Sequence, residues 1–230
     1  MNRRKFSAAL LRCALASACA PALAPCFAQE AQRAPKPSHV FQEAAPLNGT
    51  ATSAPEAFEF EAHGFTYHIK QNGNGWRKRG EHVRGFNLRF EHGGLERVYF
   101  NDYGGRLLLV CEVGEGESGV GFVTLLEQPS MRARWKQSFD SLNVGEPLLE
   151  GRHLYVTGTG FAGKLNLETG EFDWIHEDLS DKREGEQKHF NSFERPELKG
   201  ETVLFRERPV YNPRRTLVLD KKSGKILRVE

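Results

Sequence analysis

The residues that could do chemistry in this chain are few and dispersed. Cys111 is the one cysteine after residue 28, and it closes the run Leu107-Leu108-Leu109-Val110-Cys111. An apolar stretch of that kind reads as a buried strand, where a thiol is inert. The eight histidines are scattered. His63 and His68 stand five apart on neighbouring β-like runs, a spacing compatible with metal use but more ordinary for satisfied or exposed side chains. The sequence has no His-Glu-x-x-His, no Gly-x-Ser-x-Gly and no phosphate loop. No catalytic residue and no metal ligand is therefore assigned.

Two stretches suit recognition instead. Trp76-Arg77-Lys78-Arg79, followed by His82 and Arg84, combines an aromatic with guanidinium groups, the composition of an interface anchor. Its plainer reading is a basic hairpin around a core tryptophan. The stretch Arg206 to Arg215 includes Arg208, Tyr211 and Arg214 and reads as a long loop between strands, where binding residues concentrate. The candidate binding residues are thus Trp76, Arg77, Arg79, Arg208, Tyr211 and Arg214.

The elements that must carry these loops are strands. Phe58, Phe60 and Ala62 alternate with Glu59, Glu61 and His63, and Phe65 to Ile69 alternates again after Gly64. Phe86 to Phe90, Arg97 to Phe100, Leu107 to Val113 and Phe122 to Leu126 follow, separated by glycine-rich turns. Leu107 to Val113 is a near-continuous apolar run, interrupted by Glu112, as expected of an inner strand buried on both faces. The fold class expected is all-β.

A repeat refines that expectation. Pro147-Leu148-Leu149-Glu150-Gly151 returns 49 residues later as Pro196-Glu197-Leu198-Lys199-Gly200, and Leu154-Tyr155-Val156 returns as Val203-Leu204-Phe205. Leu165 to Gly170 matches Leu219 to Gly224 at a longer offset, and the extra residues fall in the loop around Arg208–Pro213. A worn third copy ends at Trp135. A period of 40–50 residues with four strands per unit is the mark of propeller blades. Three to four four-stranded blades are expected, forming an incomplete ring.

Asn166-Leu167-Glu168-Thr169-Gly170-Glu171-Phe172-Asp173-Trp174 resembles the tryptophan-docking motif of quinoprotein-type (PQQ-like) β-propeller repeats. The resemblance covers roughly residues 95–230. Asn166 stands where the family has Asp, and Lys164 where it has Ala. The last copy keeps Asp220 and Gly224 but has Arg228 at the tryptophan position. The first keeps Glu127, Ser130 and Trp135 without the glycine. The resemblance implies that Trp135 and Trp174 dock against neighbouring blades and that Asn166, Thr169, Gly170, Asp220 and Gly224 shape the turns receiving them. Enzymes of the family close rings of about eight blades around a quinone, a calcium ion and a cysteine pair. With a single cysteine after residue 28 and no spaced-acid calcium loop, no cofactor is expected here.

Residues 1–28 read as an export signal. Arg3, Arg4 and Lys5 precede an apolar Ala8–Ala24 run, and Cys26-Phe27-Ala28 offers a cleavage site. Asn2 to Phe6 is similar to a twin-arginine motif; both that route and the general secretory route stay open, and a lipoprotein reading at Cys19 is less favoured. Residues 29–56, rich in Ala, Pro, Ser and Gln, read as a disordered linker, with a β-propeller-like domain over 57–230. The whole chain carries +2, and residues 1–28 hold four basic residues and no acid, leaving −2 beyond them. That gives no electrostatic case for nucleic acid, and no segment reads as a membrane span. The function expected is a non-catalytic periplasmic interaction or scaffold module, of the accessory or immunity-inhibitor kind, with another protein as partner and homodimer formation through open sheet edges in view. A small exported hydrolase or ligand-binding enzyme with its site at the blade-end loops is the alternative.

Overall fold

The computed structural model describes residues 40–49, 54–116, 118–180, 190–209 and 214–230. Residues 1–28, expected to be an export signal, and Tyr211 lie outside the described residues. The chain is all-β, with no helix among the described residues, and its strands form four antiparallel sheets taken up in chain order. Two short strands, β1 (Gln42–Glu43) and β2 (Ala45–Leu47), come first. The first sheet joins β2 to β3 (Ala57–Ala62), β4 (Phe65–Lys70), β5 (Asn74–Arg79) and β6 (His82–Asn87). The second joins β1 to β7 (Gly94–Tyr103), β8 (Arg106–Glu115), β9 (Ser118–Glu127) and β10 (Arg132–Asp140). The third holds β11 (Leu148–Glu150), β12 (His153–Gly158), β13 (Phe161–Asn166) and β14 (Glu171–His176). The fourth repeats that order as β15 (Glu197–Lys199), β16 (Thr202–Arg206), β17 (Thr216–Asp220) and β18 (Ile226–Val229).

Three apolar cores lie between consecutive sheets. Strand alternation decides which residue feeds which core. Leu107, Leu109 and Cys111 meet Phe58, Phe60, Tyr67 and Ile69 of the first sheet. Leu108 and Val110, one position out of step, meet Leu154, Val156 and Phe161 of the third. A strand covered on both sides needs apolar residues at most positions, which is why β8 lacks the polar alternation of β3; its buried acid, Glu112, accepts the Asn143 amide at 2.7 Å. Tyr155 of the third sheet turns the other way and joins Trp174, Val203, Phe205, Leu217 and Leu219 in the third core.

The outer face of the first sheet is different. Its cross-strand rows are Glu59, His68, Trp76 and Gly85, then Glu61, Thr66, Lys78 and Val83. These are polar or half-exposed groups, and none joins an apolar core.

The junction between the third and fourth sheets is built on a ring and a glycine. Gly224 has φ 72°, and a Cβ there would sit 2.6 Å from Cγ of Trp174. Its own missing side chain therefore makes room for the indole. Trp174 donates from Nε1 to the Lys221 carbonyl at 3.3 Å. The second–third junction repeats this with other residues. Gly170 (φ 78°) receives Trp135 at the same 2.6 Å, and Trp135 Nε1 donates to the Leu167 carbonyl at 3.1 Å. Asn166 and Asp220 hold the receiving turns, accepting from the amides of Glu168 (3.0 Å) and Ser223 (2.7 Å). Thr169 Oγ1 accepts from the Glu171 amide.

Two expectations about local structure change. The reading of 29–56 as a disordered linker does not hold over its described middle part, where β1 pairs with β7 and β2 with β3, and Phe41 and Ala44 are buried. Composition measures how much core a segment can form alone. An edge strand is held by main-chain hydrogen bonds and needs little side-chain material, and Pro46 is tolerated because an edge leaves N–H positions unpaired. The second change concerns Phe86 to Phe90. Strand β6 ends at Asn87, and Arg89 takes φ 49° with its amide donating to Asn87 Oδ1 at 2.6 Å. A left-handed residue cannot continue a strand.

Candidate functional site

The Trp76–Arg79 stretch does not form one patch. On β5 successive side chains point to opposite faces. Trp76 lies on the outer face of the first sheet, its ring stacked 5.0 Å from that of His68 with an interplanar angle of 2°. His68 Nδ1 lies 3.6 Å from Glu59. Across the next strand the row ends on Gly85, whose missing side chain leaves the space beside it open. Arg77 points into the first–second junction and is only 6% exposed. It donates to the Pro129 carbonyl at 2.9 Å and lies 4.3 Å over the Phe65 ring. Arg79 shares that ring at 5.5 Å. Placing Trp76 and Arg77 side by side at one hot spot is thus corrected: one remains on the surface, and the other holds two sheets together.

The Arg206–Arg215 stretch is clamped at its base rather than presented whole. Arg208 donates to the carbonyls of Phe193 (3.3 Å) and Asn143 (3.5 Å). Arg214 donates to the Glu207 carbonyl at 2.8 Å and pairs with Glu194. The residue that organises them is Glu207, which sequence reasoning missed. It is 1% exposed and accepts from Arg215 Nε (2.9 Å), Arg215 Nη2 (2.8 Å) and the amides of Arg215 and Asn191. A buried carboxylate must be paired and hydrogen-bonded in this way. A lone acid between Arg206 and Arg208, ahead of Arg214 and Arg215, is the signal that could have found it. Arg208 also lines a cleft of about 790 Å³ with Tyr99, Glu146, Leu148 and Arg195. Burial raises the Tyr99 hydroxyl to about 12, so it stays protonated and offers a hydrogen bond rather than charge.

Two further histidines each meet a single carboxylate. His63 Nε2 lies 2.7 Å from Asp102, and His153 Nε2 lies 3.4 Å from Asp173. Among the described residues no group of three or more His, Cys, Asp or Glu could hold a metal ion. Cys111 is wholly buried, and burial pushes its thiol far above the range where thiolate forms.

A cluster of ionisable groups spans the third–fourth junction. Glu150 accepts from Lys221 Nζ at 2.9 Å and from the Tyr155 hydroxyl at 3.1 Å. Burial pushes the Glu150 carboxyl up, but the two donors outweigh it and hold it below its ordinary value. Burial together with the Glu150 charge keeps Tyr155 firmly protonated. Lys164, nearly buried, lies 3.5 Å from Asp173 and donates to the same Lys221 carbonyl that Trp174 uses. These groups satisfy one another across two sheets, leaving neither a nucleophile beside a base nor an open acid–base pair.

No protein-family model matches the sequence, and no curated protein matches it. Among solved structures it is similar to apo AztD from Citrobacter koseri, at 12% identity and a TM-score of 0.36. That match covers 84% of this chain and spans 57% of the AztD chain.

Proposed function

We propose that the protein is a non-catalytic interaction or scaffold module of the periplasm, built as an open propeller-like arc of PQQ-like repeats and acting on another protein in the manner of an accessory or immunity-type inhibitor. The observation that carries this reading is the Trp76–His68–Glu59 row on the outer face of the first sheet. A flat aromatic, backed on one side by His68 and bordered on the other by Gly85, is presented where no apolar core covers it. Tryptophan is enriched at binding hot spots because it offers a large rigid contact area. Glu207, Glu150, Lys164 and Lys221 are consumed in ion pairs that hold strands and sheets together, which supports a scaffold rather than an enzyme.

The test compares the parent protein with Trp76→Ala and His68→Ala variants as baits in a periplasmic extract. Trp76 lies outside the cores, so the variants should keep the parent's unfolding midpoint. The reading expects one stoichiometric protein retained by the parent and lost from Trp76→Ala. Retention unaffected by either substitution, or turnover of a substrate by the purified protein, would overturn it.

A further inference from the structure

We propose that a second cleft, between the crossover Leu88–His92 and the outer end of the second sheet, binds a small carboxylate bearing an apolar group, with Lys136 holding its charge. The cleft encloses about 570 Å³, the size of a small-molecule site. Phe90, Val113, Val120 and Phe122 line it together with Lys136. Val120 is 42% exposed, an unusual state for a large apolar side chain on a strand otherwise buried over its second half.

Lys136 is the unusual group. Its ammonium lies 4.0 Å from the centre of the Phe122 ring and 5.9 Å from that of Phe90. It donates to the Leu88 carbonyl at 3.2 Å and to the Arg89 carbonyl at 2.6 Å. An ammonium has three N–H groups, so two are committed and one remains. Among the described residues no carboxylate pairs with it, in contrast with Lys164 and Lys221. Burial pulls its pKa down, as expected of a charge without an anionic partner. The left-handed turn at Arg89 aims its carbonyl at Nζ, and Asn87 accepts the Arg89 amide to hold that turn. The crossover thus fixes a cation against an aromatic floor and leaves its charge unanswered.

Those features select the ligand. A carboxylate fits the remaining N–H of Lys136, and an aromatic or branched aliphatic group fits Phe90, Phe122, Val113 and Val120. Glu91 and Asp140 also border the cleft, but both are exposed to water, where their charge is screened. Lys136 is half-buried, where its charge is felt more strongly.

Phenylacetate is the probe, titrated into the purified protein and followed by amide and methyl NMR shifts. Phenethylamine, with the same ring and the opposite charge, is the comparator. Saturable shifts at Val113 and Val120 are expected with phenylacetate, and binding of phenethylamine weaker by at least about tenfold. Lys136→Met should lose about tenfold in phenylacetate affinity. Val120→Glu, at an exposed position outside the cores, should weaken phenylacetate comparably with an unchanged melting temperature, and it keeps the test valid if Lys136→Met folds poorly. Absence of saturable shifts up to the solubility limit, equal binding of the two probes, or parent-like binding by both variants would overturn the proposal.

Discussion

The three junctions of this protein solve one packing problem in two ways. At the second–third and third–fourth junctions an indole fills the space left by a left-handed glycine and donates to a carbonyl of the same turn. At the first–second junction the corresponding turn is Glu127 to Met131, with Met131 where the others have glycine. Met131 keeps the left-handed backbone, at φ 55°, and is itself buried. Its side chain occupies the room that an incoming tryptophan would need. The first sheet instead sends Arg77 to the Pro129 carbonyl, and Gln128 donates to the Tyr67 hydroxyl at 2.6 Å. The difference teaches that the turn, not the ring, is the constant part of the repeat. Whatever fills the space above the turn can come from either partner.

The comparison can be broken most directly at Trp174. Trp174→Ala removes a nearly buried ring and its hydrogen bond, and should cost about 3–5 kcal/mol in urea unfolding. A loss near zero would mean that the indole merely covers the junction. Gly224→Val should come next, at about 2–4 kcal/mol, since it adds a branched side chain both at positive φ and against the indole. If a valine there were tolerated, the claim that the missing Cβ makes room for the ring would fail. Arg77→Met keeps an apolar stem and removes the guanidinium, with its hydrogen bond to Pro129 and its place over Phe65, for an expected loss of about 1.5–3 kcal/mol. An effect equal to that of Trp174→Ala would erase the distinction between the two kinds of junction. Met131→Gly sharpens it further. Relief of the left-handed strain, about 1–2 kcal/mol, offsets part of the about 2–5 kcal/mol for an emptied core site, leaving a net destabilisation smaller than that of Trp174→Ala. A stabilised Met131→Gly protein would show that the methionine fills nothing.

The smallest expected effects are pH-dependent and have opposite signs at two junctions. Burial raises Glu112, which accepts the Asn143 amide at 2.7 Å, above its ordinary 4.5, against the opposing pull of Arg97. A raised carboxyl binds its proton more tightly when folded, so stability falls as pH rises from 4.5 through the folded value. Glu112→Gln should flatten that fall. Glu150 is held below 4.5, so its contribution is present above that pH and is lost as pH falls through its folded value. Lys221→Met should remove the acid-side loss. Urea midpoints measured on both sides of pH 4.5 would separate the two, and a single monotonic trend unaffected by either substitution would refute both assignments.

How much of this could be read without a structure depends on the range of the interaction. The all-β class, the repeat of the third and fourth sheets and the near-continuous apolar run of β8 follow from alternation and turn residues, which act between near neighbours in the chain. The same local rule, applied one residue at a time, would have separated Trp76 from Arg77, because period two sends adjacent side chains apart. Other features have no local signature. The edge strands β1 and β2 hold by backbone pairing, which leaves almost no trace in composition. Glu207 is buried because Arg215 and the Asn191 amide converge on it, and Lys136 is left without an anion because the Leu88–Arg89 carbonyls reach it from 47 and 48 residues away. What the amino-acid order settled was therefore the class of the chain and most of its inner strands and glycine turns, while the edge strands β1 and β2 and the end of β6 were not among them. Which charge is answered, which is left open and which aromatic stays on the surface were decided only when distant strands came together, since burial and pairing are properties of that assembly and not of any one segment.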